Sequence, residues 1–135
     1  MAHIYQWRGD FENSELTSLH RDAFESESIV AVEADWKSLL LKHSLGWVTA
    51  RDEFHLIGFV NVIWDGQVHA WIQDVMVSSA SRKLGIGSSL VAYAREACKS
   101  AGCEWLHVDF EARLSSFYFD ACNFKPTTAG LIHLQ

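Results

Sequence analysis

The sequence contains no apolar run long enough to cross a membrane and no excess of basic residues. Its apolar stretches stay well short of the roughly 20 residues that a transmembrane helix needs, so we expect no membrane segment. Eleven Lys and Arg stand against 17 Asp and Glu, a formal net charge of −6. This balance argues against nucleic acid as the main partner, because phosphate backbones bind basic surfaces. It favours a cationic substrate instead.

Cysteine is scarce, and metal-ligand spacings are missing. The three cysteines (Cys98, Cys103 and Cys122) include no CxxC pair, which predicts reduced thiols rather than a disulfide framework or a zinc site. Seven dispersed histidines add no ligand pattern, so we predict no metal. The first 15 residues lack the regions of a signal peptide, which predicts a cytoplasmic protein. A length of 135 residues without linker or repeat predicts a single domain over residues 1–135.

Hydrophobic periodicity changes along the chain from helical to strand-like at about Gly46. The predicted elements, in chain order, are a strand at 3–7, helices at 13–24 and 35–41, strands at 47–51, 54–64 and 67–77, a helix after Gly87, a strand at 105–110, a short helix at 112–121 and a last strand at 127–134. Asp65-Gly66 predicts a two-residue hairpin turn, and Gly102 is expected to end the long helix. This order predicts an α/β fold of the α+β type, a single mixed sheet flanked by helices.

The run Arg82-Lys83-Leu84-Gly85-Ile86-Gly87 precedes the long helix and resembles a phosphate-binding loop. Gly85 and Gly87 lack side chains, so backbone N–H groups can approach a diphosphate at the positive end of a helix. Arg82 and Lys83 can neutralise the remaining charge. The run lacks the Lys-Ser or Lys-Thr of a P-loop, and it begins too far after its strand for a dinucleotide fingerprint.

This R-x-x-G-x-G run, set between the strand QDVMV and an amphipathic helix, is similar to the acyl-CoA loop of the general-control-type N-acetyltransferase (GNAT) superfamily. The resemblance covers about residues 46–126. It implies a GNAT-like acyl-CoA N-acyltransferase fold, in which the strand ending at Val77 splays from the strand at 105–110. It also implies acetyl-CoA as co-substrate and allows for a homodimer. The expected cofactor-binding residues are Val75, Met76 and Val77, through their main chain, and Arg82, Lys83, Leu84, Gly85, Ile86, Gly87 and Ser88.

In that superfamily a tyrosine on the late helix commonly protonates the leaving thiolate, and Tyr118 is the candidate here. The usual run places Gly-Phe four and five residues after the tyrosine, whereas Asn123-Phe124 lies one step further on; a gapless match would choose Phe119. Helical spacing favours Tyr118, because it shares a stripe with Leu114 and Ala121. The alternative is a tyrosine that only packs in the core.

Asp74 is the candidate base, because an acid inside the apolar run IQDVMV is costly unless it is paired, hydrated or functional. A carboxylate that bonds backbone N–H groups or a polar neighbour is the alternative. His107 and Asp109 share a strand face and could form an orienting pair, and His69 shares a face with Trp71 and Gln73. Residues considered for the acceptor pocket, each with a packing or surface role as the alternative, are Trp36, Trp47, Trp64, Trp71, Glu25, Glu27 and Glu33.

The sequence thus predicts a small N-acetyltransferase that moves an acetyl group directly from acetyl-CoA to a primary amine of a small cationic or polar molecule. A non-catalytic acyl-CoA-binding module is one alternative, since the displaced tyrosine register could signal lost chemistry. Acetylation of a protein N-terminus or lysine is the other. An extended groove would favour a peptide acceptor, and a closed aromatic pocket would favour a small amine.

Overall fold

Five strands form one mixed sheet in the order β1-β2-β3-β4-β5, in a computed structural model that describes residues 3–24 and 34–135. The elements are β1 (Ile4–Trp7), α1 (Asn13–Ala23), α2 (Trp36–His43), β2 (Ser44–Arg51), β3 (Leu56–Trp64), β4 (His69–Val77), α3 (Ile86–Ser100) and β5 (Trp105–His107). Strands β1 to β4 are antiparallel to their neighbours, and β5 runs parallel to β4. The predicted mixed sheet with flanking helices is confirmed.

The two faces of the sheet carry two separate apolar cores, because successive strand side chains point to opposite sides. Helix α3 covers one face, where Leu90 and Ala94 pack with a cluster that includes Val60 and Val62. Helices α1 and α2 cover the other face. The buried residues there include Phe11, Leu16, Leu19, Leu40, Trp47, Phe59 and Met76.

Helix α1 begins at Asn13, as the sequence predicted. Glu12 is the N-cap, and the Glu15 carboxylate accepts a hydrogen bond from the Glu12 N–H, which completes a capping box. Asn13 serves instead as a link to α2: its amide oxygen accepts from the Lys37 N–H (2.9 Å) and its NH2 group donates to Asp35 (3.1 Å). The two helices are therefore joined at their N-terminal ends.

Three predicted features differ in the structure. The β3–β4 connection is longer than two residues, because Trp64 pairs with Ala70 and the Asp65 carboxylate accepts from the amides of Gln67 and His69. The strand predicted at 105–110 ends at His107. The strand predicted at 127–134 is absent, and that segment has no regular structure.

Within residues 3–24 and 34–135, every helix is too short or too polar to cross a bilayer.

A paired carboxylate joins α1 to the sheet and gives the fold a pH dependence. Both oxygens of Glu15 accept from the Arg51 guanidinium, each at 2.8 Å. The hydrogen bond with Arg51 is the largest of several effects that lower the pKa of Glu15 to about 2. Because this pKa lies below the ordinary value of a free Glu, the stabilisation is complete above that value and is lost as pH falls towards 2.

Replacing Glu15 by Gln should therefore destabilise the protein by about 1 to 2 kcal/mol at neutral pH, after allowance for solvent screening. In urea unfolding at several pH values, the difference from the parent should shrink steadily below about pH 4. Glu12→Gln is the matched control, since its carboxylate lies 3.8 Å from Lys37 at an exposed position. A pH-independent difference for Glu15→Gln would contradict the assigned ion pair.

Candidate functional site

Strands β4 and β5 pair over only three positions, from His69 with Trp105 to Trp71 with His107. Beyond Trp71, no strand of the described residues pairs with this edge of β4, so its N–H and C=O groups face an opening. The predicted splay between the two strands is thereby confirmed. A β-bulge lies at the same level: Asp74 and Val75 of β4 stand against Val60 alone, and Asp74 has φ +58°.

A cavity of about 460 Å³ lies at the point where the strands part. Two carboxyl groups, Asp74 and Asp109, face it from opposite sides of the opening. The complete lining is Ile63, Trp71, Ile72, Gln73, Asp74, Val108, Asp109 and Tyr118. The cavity therefore combines negative charge with aromatic and aliphatic walls, which suits a cation carried on a carbon frame.

Two opposing effects act on the pKa of the Asp74 carboxyl. Burial raises the pKa of its carboxyl above the ordinary value, and the nearby His20 on α1 partly offsets this effect. A carboxylate with a raised pKa is a better proton acceptor than a solvated one. Asp74 thus lies in the cavity wall with a raised pKa, its role as a base stays a prediction, and His20 is a neighbour that sequence reasoning missed.

Tyr118 is buried against aromatic neighbours, and it lines the cavity together with Asp74. Its ring stacks on Phe110 with centroids 4.5 Å apart, and Phe117 and Phe124 meet it edge-on. Burial is the main cause that raises the pKa of Tyr118 to about 12. The phenol therefore keeps its proton at neutral pH. Phe119, the competing position, packs edge-on against Phe110 and is not part of the cavity lining.

The glycine loop, residues 82–87, has a geometry at the start of α3 that suits an anion-binding site. Gly85 caps the helix with φ +78°, and a Cβ placed there would meet nothing within 4 Å. The first helical hydrogen bond runs from the Ser89 N–H to the Gly85 carbonyl, so the N–H groups of Ile86, Gly87 and Ser88 precede the helical ladder. This end of α3 can accept a diphosphate without displacing a side chain.

Gly87 has a different reason to lack a side chain. A Cβ there would lie 3.1 Å from two ring carbons of Phe117, so the Phe117 ring occupies the space beside the glycine. The loop is thereby in direct contact with the segment that carries Tyr118.

The loop is also tied to the end of α1. The Asp22 carboxylate accepts from both the N–H and the hydroxyl of Ser79, each at 2.8 Å, and these bonds are the main cause that lowers its pKa. Arg82, predicted to face phosphate, donates to the Ala23 carbonyl at 3.1 Å, so its guanidinium lies at the end of α1. Nothing in the sequence marked Asp22, because it reaches its partner across 57 residues.

The structure places only some of the remaining candidate residues at the cavity. The Nε2 atom of His107 lies 2.9 Å from the Nδ1 atom of His69, so His107 pairs with His69 rather than forming the predicted orienting pair with Asp109. The His107 ring also stacks on Trp71 at 4.9 Å. Of the four tryptophans considered, only Trp71 lines the cavity, whereas Trp36, Trp47 and Trp64 pack in the two cores. Glu25, Glu27 and Glu33 lie outside the described residues.

The sequence profile of the acetyltransferase (GNAT) family matches residues 3–124, nearly the whole chain. The protein belongs to this family. Its members are acetyl-CoA-dependent N-acetyltransferases, so the expected resemblance is confirmed. No match was found among curated proteins.

Solved GNAT structures share the fold at low sequence identity. An acetyltransferase of Trypanosoma brucei is 18% identical, with a TM-score of 0.77, and 98% of this chain and 99% of that chain are covered. The aminoglycoside N-acetyltransferase AAC(6')-Iy in complex with CoA is 16% identical, with a TM-score of 0.78 and coverage of 99% and 95%. Glucosamine-6-phosphate N-acetyltransferase of Arabidopsis thaliana is 17% identical, with a TM-score of 0.72 and coverage of 98% and 99%.

The extra residue between Tyr118 and Phe124 in this GNAT chain is accommodated by a π-helical turn at Ser116–Ala121. The wider turn closes with bonds from the Cys122 N–H to the Phe117 carbonyl and from the Phe124 N–H to the Tyr118 carbonyl. Asn123 has φ +64°, a left-handed conformation that glycine adopts freely and that Asn tolerates. The departures from the usual GNAT run thus have one local cause.

The left-handed conformation of Asn123 predicts how substitutions at this position change the unfolding free energy. Asn123→Gly should match or slightly exceed the parent in unfolding free energy, because glycine adopts this φ without a Cβ clash. Asn123→Val should lose about 1 to 2 kcal/mol, because a β-branched residue is strained there. Urea unfolding of the three proteins checks the order. A Val variant as stable as the Gly variant would contradict the assigned turn.

Proposed function

We propose that this GNAT protein transfers an acetyl group from acetyl-CoA directly to the primary amine of a small cationic or polar molecule. The observation that carries the proposal is a cavity, at the parting of β4 and β5, that Asp74, Asp109 and Tyr118 all line. Two carboxyl groups attract an ammonium ion, and Trp71 offers an aromatic wall for its carbon frame. A cytoplasmic location stays a prediction from the sequence.

Acetyl-CoA is proposed to lie along the free edge of β4 with its diphosphate at α3. The main chain of Val75, Met76 and Val77 would bond the pantetheine arm, as a strand would. Side chains there need no particular identity, because the contacts are with backbone groups. The diphosphate would be bound by the loop formed by Arg82, Lys83, Leu84, Gly85, Ile86, Gly87 and Ser88. The open space at Gly85 and the free amides that follow it fit this role.

The chemistry needs one base and one acid. An alkyl ammonium must lose its proton before it can attack, which costs roughly 4 to 5 kcal/mol at neutral pH. Asp74 is proposed to take that proton, directly or through water. The amine nitrogen then forms a bond to the thioester carbonyl carbon, the carbon–sulfur bond breaks, and Tyr118 donates its proton to the departing thiolate. The acylated nitrogen loses its second proton through water, which restores the Tyr118 phenol, and Asp74 releases the first proton to solvent. The Tyr118 proton is available because burial raises the pKa of the phenol.

Neighbouring structures support a small polar acceptor. The relatives with printed substrates are an aminoglycoside N-acetyltransferase and a glucosamine-6-phosphate N-acetyltransferase. Both substrate names denote small polar amines. A peptide acceptor is less well supported, because neither printed substrate is a peptide. A binding module without chemistry is also less well supported, since the family to which the chain belongs consists of acetyl-CoA-dependent N-acetyltransferases.

The diphosphate site can be tested with a charge change at constant shape. Gly85→Asp and Gly85→Asn place side chains of nearly equal size in the same open space and the same left-handed conformation. If diphosphate binds there, the Asp variant should bind acetyl-CoA at least tenfold more weakly than the Asn variant, equivalent to about 1.4 kcal/mol. Isothermal titration calorimetry measures both affinities. Equal affinities in two folded variants would place the diphosphate elsewhere.

The proposed role of Tyr118 as general acid can be tested with a second pair of variants. A thiol-release screen of acetyl-CoA with polyamines, aminoglycosides, amino acids and peptides first identifies a competent acceptor. Tyr118→Phe should then lower kcat by about 10² to 10⁴-fold and leave acetyl-CoA affinity nearly unchanged. Phe119→Leu is the control, because it perturbs the same aromatic cluster without removing a proton donor. Full activity in Tyr118→Phe would assign the proton to another donor. Tight acetyl-CoA binding with no turnover on any amine would favour the binding module.

A further inference from the structure

Three aromatic rings lie together where β4 and β5 pair: those of His69 and Trp71 on β4 and of His107 on β5. Trp71 stands opposite His107 in the strand register, and His69 shares a strand face with Trp71. The His107 ring is nearly parallel to the indole, with centroids 4.9 Å apart and planes at 18°. The His69 ring lies 6.1 Å from the indole at 28°. Trp71 therefore packs against two imidazoles.

The two imidazoles, here called the imidazole pair, are also joined to each other. His69 Nδ1 lies 2.9 Å from His107 Nε2, so one ring donates its N–H and the other accepts with a bare nitrogen. The main chain of His69 is fixed as well: its N–H donates to the Asp65 carboxylate at 3.2 Å, and its carbonyl accepts from the Asp65 N–H at 3.0 Å. The imidazole pair thus connects the β3–β4 turn with β5.

Trp71 is the link between the imidazole pair and the cavity. The indole lines the cavity, whereas His69 and His107 are not among its lining residues. Ile63, which stands opposite Trp71 on β3, lines the same cavity. The imidazole pair can therefore affect a ligand in the cavity through its contact with Trp71, without touching that ligand.

The value of an indole wall depends on how the ring is turned. A cation is attracted to the face of the ring, within about 6 Å of its centroid, and not to the ring edge. A side chain that is already ordered also avoids an entropy cost when the ligand arrives. Both effects require that the Trp71 ring be held by its neighbours, and the imidazole pair is in contact with it from β4 and β5.

We propose that the imidazole pair positions Trp71: the shared hydrogen bond fixes the His107 ring, this ring fixes the indole, and the indole orientation sets the affinity for an aliphatic ammonium acceptor. The inference rests on the proposed acetyl transfer and deepens it, because it names a determinant of acceptor affinity. Asp74 and Tyr118 keep their proposed roles. The imidazole pair should therefore affect acceptor binding and leave the proton transfers unchanged.

Two substitutions at position 69 separate the hydrogen bond from the bulk of the ring. Asn and Leu are nearly equal in size, and the Asn amide lies about where Nδ1 lies in histidine and can donate or accept. The first readout is NMR relaxation of the Trp71 indole N–H, whose signal is identified by its loss in Trp71→Leu. The indole should be as rigid in His69→Asn as in the parent, and more mobile in His69→Leu. Equal mobility in all three proteins would overturn the proposal.

The second readout is steady-state kinetics with the amine that reacts fastest in the thiol-release screen. His69→Leu should raise the KM for this amine at least about tenfold, while kcat and the acetyl-CoA dissociation constant change less than about twofold. His69→Asn should keep KM within about threefold of the parent value. In the Trp71→Leu background, His69→Leu should change KM by less than about twofold, because the imidazole pair acts through Trp71.

Several results would contradict the positioning role. An unchanged KM in folded His69→Leu overturns it, and so does a lower kcat with an unchanged KM. A KM effect of the same size without Trp71 also overturns it, because the imidazole pair would then act on the sheet as a whole. Far-UV circular dichroism checks folding. If His69→Leu does not fold, His107→Gln and His107→Leu give the same comparison from β5, since the Gln amide lies about where Nε2 lies in histidine.

Failure of the proposed function is distinguishable from failure of this inference. A parent protein that acetylates no amine refutes the proposed transfer. The indole measurement requires neither an acceptor nor turnover, so it then decides by itself whether the imidazole pair positions Trp71.

Discussion

Parallel pairing between β4 and β5 stops after Trp71 and His107, and the candidate site depends on this limit. The bulge at Asp74 and Val75 turns the upper part of β4, while the chain beyond His107 leaves the sheet towards the π turn. A longer ladder would fill the opening with main-chain hydrogen bonds. The same parting therefore frees the β4 edge for a ligand, creates the cavity and carries Asp74 into its wall.

The α3 end of the site is anchored by contacts from distant parts of the chain. Asp22 and Ala23, at the end of α1, bond to Ser79 and Arg82. The glycine loop is thus held between a helix of one face and the ring of Phe117. A loop held in this way requires less ordering when an anion binds, which favours affinity.

Local sequence signals predicted most of the fold. The alternating strands of the β3–β4 hairpin and the helical stripe around Tyr118 each depend on a few neighbouring residues, so the sequence pattern reveals them directly. The roles proposed for the glycine run and for Tyr118 stay predictions. The register of Tyr118 needed the structure, because a π turn is not distinguished from an α turn by spacing. Asn123 was the one local indication of an unusual turn, because Asn is a residue that tolerates the left-handed conformation. Asp22, His20 and the His69–His107 pair were missed or wrongly paired because their contacts join distant segments. The strand expected at 127–134 was wrong: its composition suits a strand, but composition alone does not fix pairing with a distant edge, and the segment has no regular structure.

The packing of Phe117 against Gly87 has an evolutionary consequence. A Cβ at position 87 would press on the Phe117 ring, so a larger residue at position 87 is expected to need a smaller one at position 117. A change at either position alone should disturb both the glycine loop and the segment that carries Tyr118. The two positions should therefore covary among related sequences, and grafting the glycine loop into another member of the family should succeed only when residue 117 is transferred with it.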